Sequence, residues 1–171
     1  MGHTLGRMLG EEPSRGRNAG LVRRLYAAFA ARDAEALLDV VAPEIEFFGP
    51  TATVLNEGRC YRGHEGMRRY LRDAEALWQV LEIDPQRLRE VGNHVVALGR
   101  VRARAHDGME LDTPAAWVWR IDAGLITWGC AYGDPDRMPR ALQEGGRSAT
   151  SVEASRLRAG ARHADAREPL P

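Results

Sequence analysis

Val91 to Asp134 reads VGNHVVALGRVRARAHDGMELDTPAAWVWRIDAGLITWGCAYGD, two long β-runs meeting at Asp107-Gly108 and a third run after Gly124. An Asp-Gly pair between alternating apolar residues is a strong hairpin signal, because a two-residue turn of the matching twist wants positive φ at both positions. With Asp107 and Gly108 as the central pair, Arg104 is predicted opposite Leu111, Arg102 opposite Thr113, Arg100 opposite Ala115 and Leu98 opposite Trp117. Alternation then predicts Leu98, Arg100, Arg102, Arg104, Trp117 and Trp119 on one face, with Ala97, Gly99, Val101, Ala103, Ala116 and Val118 on the other. Arginine is rarely enclosed without a partner, so a face mixing guanidiniums with indoles reads as one wall of a pocket.

Length and composition fit one globular domain: 171 residues, 44% hydrophobic and 28% charged. Acidic and basic residues balance at 24 each, so no global field draws the chain to nucleic acid or an anionic membrane. No apolar run approaches a membrane span, and MGHTLGRMLGEEPSRGRN lacks the hydrophobic centre of a signal peptide, which predicts a cytoplasmic protein. Cys60 and Cys130 are too few for a disulfide framework and read as free thiols. The chain contains no lysine, and its serines, Ser14, Ser148, Ser151 and Ser155, all lie in the terminal segments. Schiff-base and serine-nucleophile chemistry are thereby set aside. No spacing of histidines and carboxylates suggests a metal, and no cofactor is expected.

The first 17 residues lack periodicity and read as a flexible arm. A helix is predicted from an Asn18 cap to about Ala31, with Val22, Leu25, Tyr26 and Phe29 apolar, and a short one follows from Asp33. Pro43 is expected to start the exit into a strand over Glu44–Gly49. A third helix is expected over about His64–Trp78, burying Met67, Tyr70, Leu71, Ala74 and Leu77. Val80–Val91 reads as a strand whose Pro85 belongs at an edge or a bulge. After the hairpin and last strand, Asp134 can cap a helix through Leu142, and residues 144–171 read as a flexible tail. The order predicts an α+β fold, helices packed on a curved antiparallel sheet.

The segments VRRLYAAFAARDAEALLDVVAPEIEFFGP, YRGHEGMRRYL and GLITWGCAYGDPDRMPRAL resemble the SnoaL-like, polyketide-cyclase-like branch of the nuclear-transport-factor-2-like superfamily, over about residues 18–143. The resemblance implies a cone-shaped half barrel with about three to four helices closing an apolar cavity for small molecules. It also implies what is missing. The steroid-isomerase relatives carry an aspartate base where this chain has Gly49, a tyrosine where it has Leu25, beside Tyr26, and an aspartic acid where it has Trp117. The epoxide-hydrolase relatives carry Arg-x-Asp where this chain reads Arg100-Val101-Arg102, and a second aspartate at Ala131. An arginine survives and the carboxylates do not.

The expected ligand-binding residues are therefore Arg100, Arg102, Trp117, Trp119, Phe47, Leu98, Tyr26 and Tyr61, with Val96 nearby. If the protein is an enzyme, Arg100 is the expected stabiliser of oxyanion charge, with Tyr26 or a bound water moving protons. Each has a plainer reading. The arginines could pair with Glu82, Asp84 or Glu90, and the indoles could be core. His64, His94 and His106 read as solvent-facing, and Glu110 and Asp112 are predicted on the face away from Arg102. The chain is expected to be a homodimer through the outer face of its sheet, binding a small apolar or aromatic, oxygen-bearing molecule. A cofactor-independent isomerase, cyclase or lyase and a non-catalytic binding or interaction module both remain open.

Overall fold

Ala19, Val22, Leu25, Tyr26, Ala28 and Phe29 recur at helical spacing and form the buried face of helix α1, Arg17–Ala30. The computed structural model describes residues 16–49 and 59–132, together with Thr51, Leu55 and Met138. The arm before residue 16, the helix expected from Asp134 and the tail from 144 lie outside the described residues, Met138 excepted. Asn18 is not the cap of α1. The helix opens at Gly16 without a side-chain cap, and the Ala19 N–H donates instead to the Glu90 carboxylate at 2.8 Å, an acid at the positive end of the helix. Asp33 accepts from the Ala36 N–H at 3.0 Å and caps α2, Ala34–Leu38.

Strand β1 is Val41–Phe48, longer than the predicted Glu44 start. Pro43 lies inside it, in the stretch where pairing is irregular between Val41 and Glu46, which spares a missing donor. After β2, Tyr61–Arg62, come α3, Gly63–Leu77, β3, Trp78–Val91, β4, His94–Ala105, β5, Glu110–Asp122, and β6, Leu125–Tyr132. The six strands form one sheet in the order β2-β1-β6-β5-β4-β3. Pairing is antiparallel except between β1 and β6, which run parallel. Pro85 is on edge strand β3 at a register shift between Pro85 and Arg87. Gly99 faces that bulge, where a Cβ would collide with the Asp84 carbonyl.

The hairpin register differs from the predicted one by a residue. Arg104 pairs with Glu110, Arg102 with Asp112, Arg100 with Pro114, Leu98 with Ala116 and Ala97 with Trp117. The loop has three residues, His106 to Gly108, closed by Ala105 N–H to Met109 O at 2.8 Å and Gly108 N–H to Ala105 O at 3.0 Å. Gly108 takes φ +90°, and Asp107 accepts from the Met109 N–H at 3.0 Å. This is a type I turn followed by a left-handed glycine, which needs positive φ only once. Because side chains alternate, the added loop residue puts Trp117 and Trp119 on one face and Leu98, Arg100, Arg102 and Arg104 on the other.

The inner face, under the helices, collects Val95, Ala97, Ala115, Trp117 and Trp119 with the apolar sides of the helices and with Phe47 and Ile45. The outer face carries a second cluster, Val91, Val96, Ala116, Val118, Trp128 and Cys130, with Met138 and the partly buried Leu98 and Phe48. Cys130 is buried and free, and burial pushes its thiol up to about 12.

His94, expected to face solvent, is 2% exposed, and neither ring nitrogen has a hydrogen-bond partner among the described residues. Burial, with the nearby Arg120 charge, holds its pKa below the ordinary 6.5. The folded ring therefore stays neutral where the unfolded chain takes up a proton, so stability is full above pH 6.5 and falls as pH drops through the folded value. His94→Leu is expected to flatten that fall. Urea unfolding of both proteins between pH 7.5 and 5.5 checks it, and parallel profiles would contradict it.

Candidate functional site

The inner face becomes a site because five aromatic side chains from four elements converge there. Trp117 and Trp119 project from β5, Tyr26 from α1, Phe47 from β1 and Tyr70 from α3. Trp119 stacks flat on Phe47, centroids 5.4 Å apart and planes 8° apart. Tyr26 stands edge-on to Trp117 at 5.9 Å and to Trp119 at 6.1 Å, and Tyr70 is edge-on to Phe47 at 4.8 Å. These are the offset and T-shaped geometries that aromatic quadrupoles favour. Gly129 makes the Trp119 position possible: it pairs with Trp119 on β5 and Phe47 on β1, and a Cβ there would run into the indole ring.

Two voids lie among these rings. A small one of about 20 Å³ is bounded by Tyr26, Phe29, Phe47, Tyr70, Trp117 and Trp119. A larger one of about 80 Å³ extends towards the hairpin end, past Thr51, Val101, Leu111 and Thr113. Tyr70, Ile83 and Trp117 border both, so the two voids share a wall. Among the described residues, no charged side chain lines either void.

The polar contact at the deep end is a single pair. The Trp119 indole N–H donates to the Tyr26 hydroxyl oxygen at 3.0 Å, fully buried. Tyr26 donates no hydrogen bond among the described residues, so its own O–H remains available. Burial pushes the Tyr26 phenol far above its ordinary range, against the lowering effect of the indole hydrogen bond. It is a neutral donor at any physiological pH, not a base.

The expected site residues divide by face. Trp117, Trp119, Phe47 and Tyr26 come together at the voids. Arg100, Arg102, Leu98 and Val96 are on the outer face, a correction that follows directly from the one-residue change in register. The Arg100 guanidinium donates to Asp112 at 2.7 and 3.0 Å, and Arg102 lies 3.7 Å from Asp112 and 4.0 Å from Glu82. Asp112 thus shares the arginine face, contrary to expectation. These pairs are exposed, where an ion pair contributes at most about 1 kcal/mol. Tyr61 is buried but lines neither void. Its hydroxyl donates to Asp73 at 2.8 Å, and its ring packs edge-on to Tyr70 at 5.3 Å. His64 is half-buried with Nε2 at 3.2 Å from the Val41 carbonyl, and His106 is exposed beside the Glu75 carbonyl. Phe29, Tyr70 and Gly129 were not singled out as site residues from sequence. The first two were legible as the apolar stripes of α1 and α3, whereas only the register reveals Gly129 under Trp119.

This architecture recurs among solved structures. An NTF2-like protein of unknown function from Burkholderia pseudomallei K96243 is 25% identical, with a TM-score of 0.63 over 72% of this chain and 95% of that one. TerC, crystallised with polyporic acid, is 22% identical, with a TM-score of 0.63 over 75% and 96%. A protein from Shewanella denitrificans OS-217, provisionally named a SnoaL-like polyketide cyclase, is 16% identical, with a TM-score of 0.58 over 76% and 99%. No curated protein matches the chain significantly. The sequence profile of the SnoaL-like domain matches residues 22–128, which run from the buried stripe of α1 to the strand beneath Trp119. With that match over more than half its length and the half-barrel fold around an aromatic cavity, this chain belongs to the SnoaL-like domain family.

Proposed function

We propose that the protein binds a small apolar or aromatic molecule in the inner-face cavity and holds one of its oxygens through the Tyr26 hydroxyl. The observation that carries this is the Trp119–Tyr26 hydrogen bond. The indole N–H occupies the hydroxyl oxygen, so the phenol proton is the part of the pair left to donate, at the deep end of an aromatic cavity. A carbonyl or hydroxyl oxygen on a flat ligand is the complement of that donor, and the ring faces supply the rest of the recognition.

Two further features of this reading follow from the sequence expectations. The protein acts in the cytoplasm, and it forms a homodimer through the outer face of the sheet. Within one chain Val96, Ala116, Val118 and Trp128 are already buried there with Met138, so a second copy would use the hairpin end, where Arg100 and Arg102 are exposed. If the protein is an enzyme, its step is an isomerisation, cyclisation or elimination in which Tyr26 stabilises a developing enol or enolate oxygen. The absence of a carboxylate among the described cavity-lining residues favours the non-catalytic alternative, since nothing there abstracts a proton.

Native mass spectrometry of protein purified without added ligand tests the binding reading. A retained small molecule is expected in the wild type and is expected to be lost from Trp117→Ala, which opens the cavity wall. A bare chain in the wild type, together with no uptake from a panel of aromatic ketones and phenols, would contradict it.

A further inference from the structure

Arg32 occupies a position that ordinarily belongs to glycine. It follows α1 with φ +56°, and the backbone closes around it as a Schellman motif: Arg32 N–H to Phe29 O at 3.1 Å and Asp33 N–H to Ala28 O at 3.0 Å. A side chain in this left-handed conformation costs roughly 1 kcal/mol or more, which glycine avoids. The guanidinium carbon lies 5.2 Å from the centroid of Phe29, over the ring, and Phe29 in turn stacks on Tyr70 at 5.7 Å and 22°. Arg32 Nη1 is buried without a hydrogen-bond partner among the described residues. No described carboxylate is within ion-pair distance of it, and the neighbouring Asp33 is engaged with Ala36. A buried cationic N–H without an acceptor is costly, and its complement is an anionic oxygen.

The walls beside this charge belong to the cavity. Phe29 and Tyr70 both line the inner void, and Tyr70 borders the larger one as well. Burial pushes the Tyr70 phenol up, and the Arg32 charge acts against that.

We propose that the Tyr70 hydroxyl, backed by the Arg32 guanidinium over Phe29, forms an oxyanion subsite at the edge of the cavity, taking an ionised phenolic or enolic oxygen of the ligand. This rests on the cavity being a small-molecule site, and it narrows the ligand class to a flat molecule with two oxygens, one neutral facing Tyr26 and one acidic facing Tyr70. The plainer role for Arg32 is helix-end electrostatics, a cation at the negative end of α1. The two roles separate experimentally, because Gly and Asn suit the left-handed backbone better than Arg does.

The probes are 4-nitrophenol, whose ionisation is read by absorbance, and nitrobenzene, which keeps the ring and lacks the acidic oxygen. The wild type is expected to bind 4-nitrophenolate about tenfold or more tighter than nitrobenzene, the scale of a charge-assisted hydrogen bond. Arg32→Gly and Arg32→Asn are expected to keep the thermal midpoint within about 4 °C and to lose that preference while still binding nitrobenzene. Equal wild-type affinity for the two probes, or a preference that survives both substitutions, would overturn the subsite while leaving the cavity reading standing. Failure of the wild type to bind either probe would overturn both. Should both Arg32 variants unfold, Tyr70→Phe decides: retention of the tenfold preference there would assign Arg32 to the helix end alone.

Discussion

Gly129→Ala is expected to destabilise the protein by about 2–3 kcal/mol, although it adds a single methyl group. The new Cβ would enter the space of the Trp119 ring and sit 3.1 Å from the Phe47 ring. Gly129 is held between β1 and β5 by its pairing with Phe47 and Trp119, so the backbone cannot retreat and the indole must swing away. That movement breaks both the Phe47 stack and the hydrogen bond to Tyr26. The measurement is urea unfolding combined with near-ultraviolet circular dichroism, which reports the asymmetric packing of the indoles. A variant with wild-type stability and an unchanged aromatic spectrum would show that Trp119 does not lie over Gly129.

Tyr26→Phe has the second large effect, for the opposite reason. The ring shape is kept, and the edge-on contacts with Trp117 and Trp119 persist, but the Trp119 N–H loses its acceptor in a buried environment. An unpaired buried donor costs about 1–3 kcal/mol. Trp119→Phe removes the donor as well, so the double variant should lose less than the two single changes combined. A double-mutant cycle on unfolding free energies is expected to give a coupling of about 1 kcal/mol. Strict additivity would mean that the pair is not formed in solution.

The three described helices, strands β1 and β3 to β6 and the aromatic content of the cavity were legible in the sequence, whereas β2 falls in a stretch over residues 50–63 that has no clear period and reads as a loop. The stripe of Val22, Leu25, Tyr26 and Phe29 on α1, and that of Met67, Tyr70 and Leu71 on α3, follow from helical period alone. The hairpin register was not, because Asp-Gly serves two loops. A two-residue turn needs positive φ at Asp107 and Gly108, whereas the three-residue loop needs it only at Gly108, where it occurs. The deciding signal was the strand pattern. Pairing Val101 and Ala103 with the parity of Trp117 and Trp119 gives one apolar face and leaves Arg100, Arg102 and Arg104 together on the other, consistent at every position. A two-residue turn would have turned Arg100 towards the pocket; the three-residue loop turns it away.

Burial of His94 was hidden for a different reason. His94 is the first residue of β4, directly after a tight turn, where exposure is the usual outcome, and it pairs with Arg120, distant in sequence. Arg32 could not be read as a site residue either. Its significance comes from a left-handed backbone and an unpaired nitrogen over Phe29, neither of which has a sequence period.

On the proposed reading, the Tyr26 hydroxyl donates to an oxygen of a molecule held against Trp117 in the inner-face cavity. The carbonyl stretch of acetophenone bound to the protein, recorded by infrared difference spectroscopy in wild type and Tyr26→Phe, tests it most directly. A neutral hydrogen bond in an apolar cavity lowers the frequency relative to an unbonded carbonyl, because the low local dielectric strengthens it. The expected result is a lowered band in the wild type that returns to the apolar-solvent position in Tyr26→Phe. The same band position in both proteins would contradict the claim.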